Sequence, residues 1–247
     1  FVHNEIHWGK NLDIPIELLK LSNSPARSAL ESYFQTKYSS IKVMNELWSS
    51  NYENFKDIND QIDIKNQKVR SDLKDFFEFY VDYYFKTVDR EFRKVFPNHL
   101  YLGCRLYEKT HGNKIVRKIA SKYCDVLSYN VYKYSLSDFD FFKNLNKPVI
   151  IGEFHFGTGT HGVWGTGLRV AYNLEQQAEL YKQFVYEASI NPAIIGAHWF
   201  QWTDQPATGR FDGENFRIGF VSITDQPYEN LVDATKHINS NLLEWRK

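Results

Sequence analysis

Residues 148–154 read PVIIGEF and residues 193–200 read AIIGAHWF, with a helical pattern over Leu174–Ile190 between them. A short apolar run rich in β-branched and aromatic residues, closed off by Pro, Gly or Asn, reads as a buried strand. A strand, a helix and a second such strand make a parallel βαβ unit, because the helix carries the chain back to the starting edge. The same alternation recurs on both sides of this stretch. Runs at 1–6 (FVHNEI), 100–106 (LYLGCRL) and 125–132 (DVLSYNVY) also read as strands. Helices are expected near 113–122 and 138–145 and over Glu229–Trp245. Five strands alternating with helices give an α/β fold.

A mainly helical insertion at about 9–98 separates the first two strands. Ser24 and Pro25 suit a helix start. Over Gln67–Val95, residues Val69, Leu73, Phe76, Phe77, Tyr80, Tyr83, Tyr84, Val88 and Phe92 recur at steps of three and four, with charges opposite. There is no solenoid-period repeat and no low-complexity segment.

The chain has 247 residues, enough for one large domain or two small ones. Lys+Arg and Asp+Glu are 30 each, for a formal charge of zero. A nucleic-acid partner would call for a basic excess, so none is expected. No apolar run approaches the ~18–20 residues that cross a bilayer, so no membrane partner is expected either. Cys104 and Cys124 match neither a disulfide framework nor zinc-site spacing and read as buried free thiols. Phe, Tyr and Trp make up 17% of the chain, and such rings either fill a core or stack on the apolar faces of sugars. The chain opens at Phe1, its single methionine is Met44, and no signal-peptide pattern is visible. The expectation is that a preceding segment was removed or lies on another chain.

Two glutamates close strands in polar or aromatic company. Glu5 follows Asn4 at the end of the first, and Glu153 lies in GEFHFG at the end of the fourth. Strand C-termini of a parallel α/β barrel open on one face, where active sites lie. Two carboxylates brought there by different strands are the machinery of glycoside hydrolysis: one protonated to assist the leaving oxygen, the other ionised to attack or to activate water. The bland alternative is a pair of surface charges. Tyr132, His155 and Trp199 stand at or beyond other strand ends. Gly157, Gly159 and Gly162 spell GxGxxG after a strand, but no helix pattern starts there, so a dinucleotide site is rejected. DGEN at 212–215 reads as a turn rather than a calcium loop.

IIGEFHFGTGTHGVWGTGLR at 150–169 and GAHWFQWTDQPATGRFDGENFRIGFV at 196–221 resemble glycoside hydrolase family 50, the β-agarases, and FVHNEIHWG resembles that family's first catalytic motif. The resemblance runs through all five strands and is densest over 148–223. It implies a (β/α)₈ TIM barrel of a retaining clan, of which this chain carries strands four to eight. It further implies Glu5 as acid/base, Glu153 as nucleophile and Asn4 as partner of the sugar 2-hydroxyl. Tyr132 would orient Glu153, Trp199 would floor the sugar site, and His155 would line it or be satisfied by backbone. Arg105 would bind substrate or act as a structural ion-pair partner. Gln201 and Trp202, beyond the fifth strand, would also bind substrate, with His198 and Asp204 as further candidates beside them. Trp164 and Trp8 would stack on outer sugars or simply pack. No metal or organic cofactor is implied. The family motif leads one to expect Asp where His3 stands.

The substrate implied is a β-linked galactan, agarose or a red-algal relative, with a carboxylate separation of about 5–5.5 Å for retention against roughly 6.5–9.5 Å for inversion. Competing readings are a carbohydrate-binding remnant without catalysis and a β-galactosidase of the same clan. Barrel strands one to three are missing, which would leave strand edges unpaired. The N-terminal half-barrel is therefore expected upstream or as a separate chain, unless the chain self-associates. Secretion, or a periplasmic location, follows from a polymer that stays outside cells.

Overall fold

A computed structural model describes residues 1–107, 113–140 and 142–246. The chain divides into two compact units. One comprises Phe1–Ile6, Leu100–His111 and Cys124–Lys247, and the other His7–His99 and Gly112–Tyr123.

The first unit holds a parallel sheet of four strands in sequential order: β1 Arg105–Leu106, β2 Leu127–Asn130, β3 Val149–Phe154 and β4 Ile194–Trp199. They fall inside the four later predicted runs. β2 is buried throughout, as a parallel strand covered on both faces should be. Helix α6 (Leu174–Ile190) follows β3, with Asn173 accepting from Gln176 N–H at its start. Helix α7 (Glu229–Trp245) follows β4. An aromatic layer glues β3 to α6: Phe154 stacks on Phe184 at 4.3 Å and 9°, and Tyr181 lies 5.9 Å away. Offset aromatic contacts add to the area such rings bury.

Two expectations are corrected. Residues 1–6 do not form a strand: a single bridge links Asn4 to Arg105. His3 and Glu5 lie in the left-handed region, at φ 65° and 52°. Two such residues so close together break a pleated strand, and each costs a side-chain-bearing residue on the order of 1–2 kcal/mol. Hydrogen bonds from Val2 N–H to Gly103 O and from Glu5 N–H to Arg105 O, both 3.1 Å, hold the segment along β1. No helix forms among the described residues of 138–145; they make turns, and Asn144 is left-handed at φ 65°. Residue 141 of that predicted helix lies outside the described residues.

The second unit is helical among its described residues: α1 Asp13–Leu19, α2 Pro25–Lys37, α3 Ile41–Trp48, a 3₁₀ turn Phe55–Asp57, α4 Gln67–Val95 and α5 Lys114–Tyr123. Ser24 caps α2 by accepting from Arg27 N–H at 3.1 Å. Asn66 caps α4, which stops just before Pro97. The buried stripe of α4 runs through Val69, Leu73, Phe76, Phe77, Val81 and Phe85. Tyr83, predicted on that stripe, is exposed. Trp8 is 2% exposed and packs on Tyr84 and Phe85, so it is core and offers no face to a sugar. Charges are also buried among the helices, Arg27 and Asp72 among them. Asp72 accepts from Tyr38 OH, from Trp48 Nε1 at 2.7 Å, and from Lys37 and Lys68 at 2.8 and 2.7 Å.

Candidate active site

Glu153 stands near the end of β3 at a bulge. Ile151 pairs with Tyr129 and Glu153 with Asn130, so Gly152 is an extra residue with no partner in β2. A bulge of this kind re-aims the next side chain. Gly152 must also lack a Cβ: one added there would sit 2.8 Å from Ser128 Oγ, 2.9 Å from Asn130 Oδ1 and 3.0 Å from Arg105 Cδ.

The Glu153 carboxylate is buried and takes three donors. Arg105 Nη1 donates to Oε1 at 2.7 Å, Asn4 Nδ2 to the same oxygen at 3.4 Å, and Tyr132 OH to Oε2 at 2.7 Å. Tyr132 is itself buried. Burial and the facing Glu153 charge push its phenol well above the usual range, so the hydroxyl stays protonated and keeps donating.

Glu5 is half-buried and reached from a different side. Asn130 Nδ2 donates to its Oε1 at 2.8 Å and also lies 3.4 Å from Asn4 Oδ1. The carboxylates are thus linked through two amides, from Glu5 to Asn130 to Asn4 to Glu153. Burial raises the pKa of Glu5 from its ordinary 4.5, against the Asn130 hydrogen bond, and the charges of Glu153 and Glu214 push the same way. Glu214 accepts from Gln205 Nε2 at 2.8 Å and pairs with Arg210 at 3.2 Å. Two neighbouring carboxyls in unlike surroundings can hold opposite protonation states, which an acid/base and nucleophile pair requires.

Of the predicted residues, Glu5, Glu153, Asn4, Tyr132 and Arg105 come together. Arg105 is the ion-pair partner of Glu153. His155 does not present an edge to the site. It is 1% exposed, accepts from Leu168 N–H through Nε2 at 2.8 Å, and Nδ1 lies 3.1 Å from Phe200 O. Since Nε2 accepts, Nδ1 carries the hydrogen, and backbone occupies both nitrogens. Burial drops its pKa from 6.5 to about 4, so the ring is neutral, and it lies 4.7 Å from the Tyr132 ring. Trp199 is not beside the carboxylates either. It donates Nε1–H to Ile218 O at 2.7 Å and packs among Phe154, Phe156, Tyr181 and Phe220 on the α6 side of β4.

Gln201 bonds the Thr203 carbonyl at 2.9 Å. Asp204 is buried and structural, accepting from Gly219 N–H and Tyr228 OH at 2.7 and 2.6 Å. His198 lies toward solvent on β4, and partial desolvation and the Arg105 charge lower its pKa. Trp164 and Trp202 are 80% and 69% exposed on the loops that follow β3 and β4, where stacking faces are open. The GxGxxG glycines lie in a loop that runs on to Asn173, and the 212–215 stretch is a turn in which Asp212 accepts from Glu214 N–H at 3.2 Å. Cys104 and Cys124 are buried and form no disulfide.

Sequence reading missed Asn130 and the pair of Arg210 and Glu214. An Asn inside a run that reads as a buried strand was the available signal for the first, because a buried amide needs partners.

No protein-family profile matches the chain. Among curated proteins, β-agarase B of Vibrio sp. (strain JT0107) is 36% identical over the whole chain, and β-agarase A of the same strain is 31% identical over 98% of it. The chain is a part-length relative of the glycoside hydrolase family 50 β-agarases. It spans 28% and 26% of those two relatives. An exo-β-agarase structure superposes at a TM-score of 0.90 with 37% identity, covering 99% of this chain and 35% of that one. The agarase AgWH50C superposes at 0.88 with 35% identity, covering 99% and 36%. These family-50 relatives agree with what the sequence motifs implied.

Proposed function

We propose that this chain carries the catalytic carboxylates of a retaining glycoside hydrolase that cleaves β-galactosidic linkages in agarose or a related galactan. In this reading its sheet and the 1–6 segment supply strands four to eight of a (β/α)₈ barrel. The helical stretch at about 9–98 is an insertion, and an N-terminal half-barrel completes the site from upstream or as a separate chain. A polymer too large to enter cells places the enzyme in a secreted or periplasmic location.

Glu153 attacks the anomeric carbon while the bond to the leaving oxygen breaks and Glu5 gives that oxygen its proton. Water then attacks the same carbon, its proton passes to Glu5, and the bond to Glu153 breaks. Asn4 meets the sugar 2-hydroxyl. Trp164 and Trp202 stack on outer sugars. The observation that carries the reading is the asymmetry of the two carboxyls. Glu153 is gripped by Arg105, Tyr132 and Asn4, whereas Glu5 is linked to it through amides and holds its proton more tightly than a free glutamate.

The test is turnover of agaro-oligosaccharides by the intact protein, with NMR reading the anomer released first. Retention is expected, and Glu153→Gln and Glu5→Gln should each lower turnover by at least roughly 10²–10⁴-fold. An inverted product, or full activity in either variant, overturns the mechanism. Rapid hydrolysis of an aryl β-galactoside with none of agarose would make the protein a β-galactosidase instead.

A further inference from the structure

Glu5 sits at φ 52° in a segment that is not a strand, tied to β1 through its N–H at 3.1 Å. Asn130 is built into the sheet. It is fully buried on β2, its backbone is paired with Glu153, and the next residue, Val131, donates N–H to Glu153 O at 2.8 Å. The bare Cα of Gly152 leaves the space its side chain occupies. From that fixed base Nδ2 reaches Glu5 at 2.8 Å and Asn4 Oδ1 at 3.4 Å. With Oδ1 of Asn4 turned toward Asn130, Nδ2 of Asn4 faces Glu153.

We infer that Asn130 is a positioning residue for the acid/base: it holds the Glu5 carboxylate toward the leaving-group oxygen and orients the Asn4 amide between the two carboxylates. The inference rests on the proposed hydrolase reading and adds to it a residue that acts through Glu5.

The consequence for proton transfer has a definite sign. A donor to an ionised carboxylate favours the ionised form, so Asn130 opposes the upward pull of burial. The other groups acting on Glu5 are Glu153 and Glu214, which raise its pKa, and Arg105, which lowers it; Tyr107 and Tyr132 feel its charge in turn. Removing the amide donor takes away the larger of the two lowering influences and leaves the weaker one, Arg105, against the raising ones. The alkaline limb of kcat/KM, which reports the protonated acid, then moves upward by about one pH unit. Aspartate at the same position puts a like charge against Glu5 and moves the limb further.

The experiment compares Asn130→Asp and Asn130→Ser with wild type and with Glu5→Gln in the intact protein, with circular dichroism confirming folding. Each is assayed on an agaro-oligosaccharide and on an aryl galactoside whose leaving group needs no proton. The expected result is an upshifted alkaline limb in both variants. Turnover should fall about 10–100-fold on the oligosaccharide and much less in the aryl-release step. Asn130→Asp should partly recover at low pH, where a protonated Asp again donates to Glu5. Serine is too short to reach Glu5 and buries no charge, so it carries the comparison if the aspartate variant does not fold. Unchanged limbs, or equal losses on both substrates, with wild type active and Glu5→Gln dead, would overturn the role of Asn130. An inactive wild type, or an active Glu5→Gln, would instead sink the hydrolase reading itself.

Discussion

Glu5 and Glu153 are the same side chain in one compact unit, and their surroundings pull them apart. The difference lies in the donors: Arg105, Tyr132 and Asn4 converge on Glu153, whereas among the described residues the Asn130 amide donates to Glu5. Tyr132→Phe removes the 2.7 Å bond to Glu153 and nothing of the ring. A hydrogen bond to a charged group contributes about 1.5–3 kcal/mol to the folded state, so the melting temperature should fall, and kcat/KM should fall as well because Glu153 loses the donor that orients it. Steady-state kinetics beside thermal unfolding checks this. His155 makes a different prediction. Its pKa in the fold is about 4 against an ordinary 6.5. A depressed pKa means the unfolded chain binds the proton more readily. The stabilisation is therefore complete above 6.5 and is lost as pH falls toward 4, by about 3 kcal/mol in all. Urea titrations at stepped pH should show that loss. His155→Gln, though less stable at neutral pH, should be flatter over the same window.

At the level of elements, β3 and α4 show two ways of handling polar groups in a packed interior. β3 inserts Gly152 as an unpaired residue, which turns Glu153 and clears space for Asn130 and Arg105. Gly152→Ala keeps an apolar strand but drives a methyl against Ser128 Oγ and Asn130 Oδ1, both within 3 Å. Overpacking of this kind costs about 1–3 kcal/mol and should also lower turnover, measurable as a shift of the urea midpoint together with kcat. α4 buries Asp72 and surrounds it with donors from α2, α3 and its own first turns. Burial would raise the carboxyl's pKa, but Lys37, Lys68, Tyr38 and Trp48 together hold it below 3.8. With the folded value depressed, the stability it contributes is present above 3.8 and lost below it. Asp72→Asn should cost about 2–3 kcal/mol at pH 7, less than a fully buried pair because both lysines are partly in water. The gap to wild type should narrow in unfolding measurements as pH falls below 3.8.

For the molecule as a whole, charge balance is the informative quantity. Thirty basic and thirty acidic residues give no net field to steer a charged polymer. The proposed substrate, agarose, is uncharged, so on that reading its affinity should change less than about twofold between 0.05 and 0.5 M salt, as read by gel-affinity electrophoresis or calorimetry. A steep fall with salt would point to a sulfated galactan or another polyanion.

The four later strands, the long helix over Gln67–Val95 and the helices after β3 and β4 were legible because their signals are local: hydrophobic period, caps, Gly and Pro. Glu5 with Asn4, Glu153 and Tyr132 were legible at the ends of apolar runs, and Arg105 only through the family resemblance. What residues 1–6 become, where Trp8, His155 and Trp199 point, and that Asn130 joins the two carboxylates were not. A period-2 pattern says which residues share a face, but it does not say which face meets helices, and one unpaired glycine reverses the order beyond it. Trp199 goes to the α6 layer because Phe154, Tyr181 and Phe220 meet it there. Glu5 sits at a positive φ because bonds to residues nearly a hundred positions away hold it. Those choices are made by contacts distant along the chain, whose energies appear only once the sheet has brought the partners together.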